Sequence, residues 1–260
     1  TPWTEGMNFR NLEDKGLIKF DFLGLTLLKD VENCISRILT RKNGKEPTFI
    51  EIRDWFDKHL NCRYVTQDDE KVWKHVYHQR RKTGVFQFTA EGARRFCEDA
   101  KPMTIEELGA LTAIYRPGPL RANVHKKYVK DKANSENITY AHPIIKDILG
   151  STFGHVTFQE QFMLLAQKLG GFTPAESDKL RKTLVKKSLD TMGKKGDERE
   201  AARQKFIKGA KELNGVPENV SDELWKRIEF FSVYGFNKSH AVAYALDSYY
   251  AAWLHTYYET

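Results

Sequence analysis

Between Thr104 and Pro119 the sequence marks both ends of a helix, and the same punctuation recurs along the chain. Thr104 and Glu107 form a T-x-x-E capping box, in which each side chain satisfies a backbone N–H of the first turn. The apolar run LGALTAIY follows. RPGPL at 116–120 stops it, because Pro117 removes a donor and biases Arg116 away from helix, and Pro119 repeats the effect. Thr173, Pro174 and Glu176 start another helix, with Thr as N-cap, Pro at the first helical position and Glu at the third. FQEQFMLLAQKL at 158–169 places Phe162, Leu165, Ala166 and Leu169 on one face and ends at Gly170 and Gly171.

The same period predicts helices over 26–39, near 48–60 and 68–80, and over 198–213, 221–233 and 241–258. Residues 17–25, LIKFDFLGL, depart from it. Phe20 and Phe22 alternate with Lys19 and Asp21, the period of a strand with one buried face, and Asp21 projects from the other face. VFQF at 85–88 predicts a short strand or extended segment, followed by a helix with Thr89 as N-cap. RKNGKEP at 41–47 predicts a turn, and FNKSH at 236–240 a polar break. The expected fold class is mainly α, with a short β remnant near the N-terminus.

Net charge is +7, and the excess is not spread evenly. Residues 181–211 carry eleven Lys and Arg against four Asp and Glu, an excess equal to that of the whole chain. Arg181, Lys182, Lys186 and Lys187 begin this stretch, with Lys182 and Lys186 four apart on one helical face. A second basic stretch runs from Arg116 to Lys132 and includes Arg121, Lys126, Lys127 and Lys130. Such stripes neutralise phosphates and release counterions, which makes binding salt-sensitive. The bland reading is two solvated faces, but clustering in two places favours nucleic acid or nucleotide phosphate. The closing helix is rich in Tyr and Trp, most of them suited to a core. Tyr244 is the exception, because it lies one turn past His240 and shares its face.

No run of 18 apolar residues occurs, so no membrane span is expected. The N-terminus lacks an initiator Met and a signal core, the pattern of an excised piece. Three scattered cysteines imply no disulfide framework, which fits a reducing cytosol. His59, Cys62, His75 and His78 offer four N/S ligands, but the second pair is too closely spaced for a zinc finger, and helix dipole effects account for both of its histidines. No P-loop, GxGxxG or GxSxG motif is present, nor an arrangement for Cys-His catalysis.

Six segments in order resemble the C-family replicative polymerases, typified by the alpha subunit of bacterial DNA polymerase III. They are KFDFLGL at 19–25, GVFQF at 84–88, ALTAIYRPGPL at 110–120, FQEQFMLLAQKLGGFT at 158–173, LRKTLVKK at 180–187 and YGFNKSHAVAYALDSYYAAWL at 234–254. The resemblance implies that residues 1–26 are the edge of a palm and 27–260 a helical fingers domain. It makes Asp21 the third carboxylate of a two-metal Mg2+ site, whose other ligands come in the family from an upstream D-x-D pair that this chain starts too late to contain. It places Arg116, Arg181, Lys182, Lys186, Lys187, Asn237, Lys238, His240 and Tyr244 around the incoming dNTP and the template-primer DNA. Val185 stands where the family usually has a small residue. For the parent enzyme the resemblance implies templated nucleotidyl transfer in a cytoplasm, bacterial or that of a virus's host. It implies a sliding clamp and other replisome subunits as partners, and a fragment inactive by itself. A stand-alone basic helical nucleic-acid-binding module is the alternative.

Overall fold

The computed structural model describes residues 16, 20, 24–79, 84–185, 194–232 and 234–258. Asp21, Lys186, Lys187 and nearly all of the strand expected at 17–25 lie outside them. The described residues form helices α1 (Thr26–Asn43), α2 (Phe49–His59) and α3 (Glu70–Val72), the last running into a π-helical turn at Trp73–Tyr77. Then come α4 (Glu91–Ala100), α5 (Ile105–Ile114), α6 (Pro117–Arg121) and α7 (Val124–Ala133). The rest are α8 (Pro143–Leu149), α9 (Gln159–Lys168), α10 (Pro174–Val185), α11 (Lys194–Asn214), α12 (Glu218–Ser232) and α13 (Lys238–Tyr258). The mainly α class is as the periodicity requires.

Two apolar cores organise these helices. In the first, α5 packs along α13, with α1, α3, α4 and α7 around them. Leu108, Gly109, Ala110, Leu111, Ala113 and Ile114 are all buried, so α5 is apolar nearly all round, as a central helix must be. Gly109 lets the two helices approach closely: a Cβ there would stand 3.3 Å from the Ala241 carbonyl oxygen. The second core gathers α8 to α12 around Phe162, Leu165, Phe206 and Trp225. Phe231 packs against both cores.

Backbone pairing also joins them. Phe158 and Phe236 form an isolated parallel bridge. The Gln159 N–H donates to the Phe236 carbonyl at 2.9 Å, and the Phe236 N–H to the Thr157 carbonyl at 3.3 Å. Buried Gln161 fixes this junction from behind. Its Oε1 accepts from the N–H groups of Thr157 (2.9 Å) and Phe158 (3.0 Å), while its Nε2 donates to Ile148 O (3.2 Å) and Thr152 Oγ1 (2.8 Å). All four hydrogen-bonding capacities of one buried amide are thus used locally.

Four local expectations are revised. VFQF is a turn, not a strand: Phe88 N–H donates to Val85 O at 3.1 Å, and Gln87 has φ +68. Val85 and Phe88 are the buried pair, a spacing of three that a strand cannot put on one face. The helix after it begins at Glu91 with Ala90 at the N-cap, so Thr89 lies one residue too early. RPGPL stops α5 but at once begins α6, where Pro117 takes the first position, the one helical site where its missing N–H costs nothing. FNKSH is not a break throughout, because α13 starts inside it at Lys238.

The capping boxes are half and wholly as expected. Glu107 N–H donates to Thr104 Oγ1 at 3.2 Å, but the Glu107 carboxylate turns to Met103 N–H (2.8 Å) and to Lys132 Nζ (2.5 Å). At Thr173 both arms form, at 3.2 and 2.8 Å.

Candidate nucleotide and nucleic-acid interface

The start of α13 is built by a cap and a clamp. Asn237 is the N-cap, its Oδ1 accepting from His240 N–H at 2.8 Å. Glu160, in the first turn of α9, accepts from the Asn237 amide at 2.8 Å and from Lys238 N–H at 2.9 Å. The Lys238 ammonium pairs with Glu106 of α5 and lies 5.8 Å from the centroid of Phe158. Three helices therefore converge on two residues, and the helix N-terminus is held by carboxylates, as its dipole favours.

With its start fixed, α13 aligns a row of rings. His240 and Tyr244 lie one turn apart with centroids at 4.0 Å. Phe236 lies 5.3 Å from His240 on one side, and Phe86 lies 5.1 Å from Tyr244 on the other. The exposed Arg116 guanidinium sits 5.2 Å over Phe236 and donates to Tyr234 O at 3.2 Å. Gly118 makes room for Tyr234, since a Cβ there would fall 2.1 Å from the Tyr234 ring. A cation at one end and partly open aromatic faces along the row suit a phosphate next to a base or sugar.

The structure thus gathers Arg116, Asn237, Lys238, His240 and Tyr244 into one cluster, although Arg116 and Tyr234 are 118 residues apart. Arg181 and Lys182 stand apart from it. Their helix, α10, packs on α9, α11 and α12, and both cations bind Asp178, at 3.0 and 2.8 Å. Lys182 and then Arg181 hold the Asp178 carboxyl below its ordinary pKa. Part of the basic stretch is therefore neutralised within its own helix. Further along, Arg203 bridges Glu200 and Asp222, and Lys205 reaches Glu176, so α11 spends cations on packing as well. The Glu176 carboxyl is drawn down to about 2, first by the Lys205 hydrogen bond and then by the Thr173 N–H.

Glu160, Glu106, Phe236, Phe86 and Gln161 were not legible as site residues in the sequence. For Glu160 and Glu106 the roles depend on partners far along the chain, 77 residues away for Glu160 and Asn237 and 132 for Glu106 and Lys238, whereas Gln161 bonds groups 3 to 13 residues away in a loop whose path the sequence does not show. Among the metal-ligand candidates, the His59 ring packs at a tilt against Trp55 with centroids at 4.5 Å, and His78 bonds the Pro102 carbonyl at 2.9 Å. No group of three or more His, Cys, Asp or Glu suited to a metal occurs among the described residues. Nor, among them, is any helix long and apolar enough to cross a membrane.

The chain matches the family described as "Bacterial DNA polymerase III alpha subunit finger domain" over residues 28–214. It is similar to the DNA polymerase III subunit alpha of Aquifex aeolicus, 37% identical over 247 residues that make up 95% of this chain and 19% of that protein. Similarity to the subunit of the same name from Halalkalibacterium halodurans is 34% over 257 residues, or 99% of this chain and 21% of that protein. For Pseudomonas aeruginosa it is 33% over 256 residues, with 95% and 20% covered. The chain spans about a fifth of the length of the curated relatives it matches. On the match over residues 28–214 and these relatives, the chain belongs to the finger-domain family of the bacterial DNA polymerase III alpha subunit.

Proposed function

We propose that this chain is the fingers, residues 27–260, together with the last edge of the palm, residues 1–26, of a DNA-directed DNA polymerase of the replicative C family. The fingers grip the incoming dNTP and the template-primer DNA during two-metal nucleotidyl transfer. The observation that carries the reading is the row from Arg116 through Phe236, His240 and Tyr244 to Phe86, pinned by Asn237 and Lys238. Cations at such a site stabilise charge on the transferring phosphoryl groups, and aromatic faces take the base or sugar. Arg181 and Lys182 of α10, with Lys186 and Lys187 just after it in sequence, form a second phosphate grip.

Asp21 supplies one carboxylate to Mg2+. The 260 residues contain no D-x-D pair, and one carboxylate is not a two-metal site, so these residues alone do not carry the bond-forming step. The metal ions supply charge neutralisation at the triphosphate. The sliding clamp and other replisome subunits are the partners of the whole enzyme, in a cytosolic compartment.

The test is steady-state primer extension by the polymerase that carries this sequence. Tyr244→Ala and His240→Ala each raise the dNTP KM about tenfold, the worth of one stacked ring, with little change in DNA affinity. An unchanged KM in both variants removes the ring row from the nucleotide site.

A further inference from the structure

A second groove of mixed chemistry lies at the opposite end of α13. Tyr258 is 14 residues beyond Tyr244, or about 21 Å along the helix at 1.5 Å per residue. There α1 and α2 enclose a cavity of about 580 Å³, lined by Cys34, Arg37, Ile38, Arg41, Lys42, Trp55, His59 and Tyr258. That volume is in the range of small-ligand sites.

Its lining divides by chemistry. Arg37, Arg41 and Lys42 are exposed along one side of α1, and the lining contains no Asp or Glu. Elsewhere the chain's cations are commonly held by carboxylates, as at Asp178, Asp222 and Glu176. Among the described residues these three make no ion pair. The dipole of α1 favours Arg41 and Lys42 in the last turn, but it does not account for Arg37, two turns from the helix end. The facing wall is aromatic. Trp55 lies 4.5 Å from His59, 6.0 Å from Trp253 and 6.0 Å from Tyr258, and Tyr258 is 40% exposed. Burial first, then Lys58 and Lys42, hold the His59 imidazole below its ordinary pKa, so it presents a neutral ring near pH 7.

We propose that this groove binds single-stranded nucleic acid, with Arg37, Arg41 and Lys42 on its phosphates and bases stacked against Trp55 and Tyr258. Cations without carboxylates beside half-open aromatic rings are the combination that tracks a flexible phosphodiester strand and stacks its bases. Duplex DNA hides its base faces and has nothing to offer the Trp55 wall. The site is separate from the row at His240 and Tyr244 and does not rest on the reading given to that row.

The test uses the 260-residue chain and a twelve-residue oligothymidylate. Of the four tryptophans among the described residues, Trp73 and Trp225 are wholly buried, so a strand in the groove quenches fluorescence from Trp55 and Trp253, and Trp55→Phe separates that quench from the emission of Trp3. Trp55→Phe removes most of the quench. The triple change Arg37→Gln, Arg41→Gln, Lys42→Gln, at exposed positions, weakens binding at least tenfold. It also makes the slope of log affinity against log salt shallower by about 2, at about 0.7 for each phosphate no longer neutralised. The pair His240→Ala, Tyr244→Ala keeps the quench, so failure of one site is distinguishable from failure of the other. An unchanged affinity and salt slope in the triple variant overturns the proposal. So does a quench produced by polyglutamate and not by oligothymidylate, which would assign the groove to an acidic polypeptide. Equal binding of blunt duplex and single strand, with equal weakening in the variants, overturns the stacking wall.

Discussion

Glu160 and Asn237 are joined by a 2.8 Å hydrogen bond from the amide to the carboxylate, across 77 residues of sequence. The second oxygen of Glu160 takes the Lys238 N–H, so one carboxylate orients the entire first turn of α13. His240 and Tyr244 inherit their directions from that turn. Glu160→Ala should lower the unfolding free energy by about 1–2 kcal/mol, the worth of charge-assisted hydrogen bonds at a half-exposed helix end. Urea denaturation measures it. A stability equal to wild type would show that Asn237 alone sets the cap.

Gln161 is the more severe case. Gln161→Leu keeps the volume but strands the Thr157 and Phe158 N–H groups in a buried place and takes a donor from the Ile148 carbonyl, while the Thr152 hydroxyl keeps the Leu149 and His155 carbonyls as partners. We expect destabilisation by about 3–5 kcal/mol, since each buried polar group left unpaired costs its desolvation. Thermal and urea unfolding of the variant check this, and a change under about 1 kcal/mol would mean that water replaces the amide.

His155 gives the fold a pH dependence. Its Nε2 lies 2.9 Å from Asp131 Oδ2, an arrangement that by itself favours the charged ring. Burial outweighs it, aided by Lys127 and Arg227, and holds the folded-state pKa below the ordinary value of 6.5. The unfolded chain therefore binds the extra proton first as pH falls. The contribution of neutral His155 is complete above about pH 6.5 and is lost as pH falls toward the folded-state value. The melting temperature should drop over that interval, and His155→Gln should flatten the drop. An identical pH profile in the variant excludes His155 as the cause.

Asp21 is tested in the polymerase that carries the sequence. Asp21→Asn should abolish primer extension and leave the DNA dissociation constant within about twofold, because a metal ligand acts on the reacting phosphate and not on the duplex grip. Retained extension would remove Asp21 from the metal site.

The basic stretch is tested through salt. Lys186→Ala with Lys187→Ala should raise the dNTP KM or weaken DNA binding, and the defect should vary across a potassium chloride titration, since phosphate contacts are screened. Kinetics identical to wild type at every salt concentration would assign the pair to solvent.

What the sequence made legible was local. The helices at Gln159–Lys168 and Pro174–Val185 announce themselves through period, Pro placement and glycine stops, because those signals act within one or two turns. VFQF misled because four residues hold one helical turn and two strand repeats equally well, and only the burial of Val85 and Phe88 decides. FNKSH reads as a break by polarity, yet Asn237 is polar because it caps. The basic count of 181–211 was legible, but the carboxylates that absorb part of it come from another helix in the case of Asp222 and Lys205's partner Glu176. Arg116, Asn237, Lys238, His240 and Tyr244 were each nameable from the family resemblance. Their meeting depends on Glu160, Glu106 and the Phe158–Phe236 bridge, which sequence spacing does not encode.

That bridge bears on how freely this region can change over generations. The bonds at Gln159 and Phe236 run between main-chain atoms, and apart from proline every amino acid supplies the same N–H and C=O. The Gln159 side chain adds a bond of its own, from Nε2 to Gly235 O at 3.0 Å, but the main-chain bonds of the seam between the two cores do not depend on it. Variation in what the ring row recognises need not be traded against the seam that aims it, and a mutational library targeted here should recover altered specificity more often than misfolding, with proline at 159 or 236 as the predictable failure.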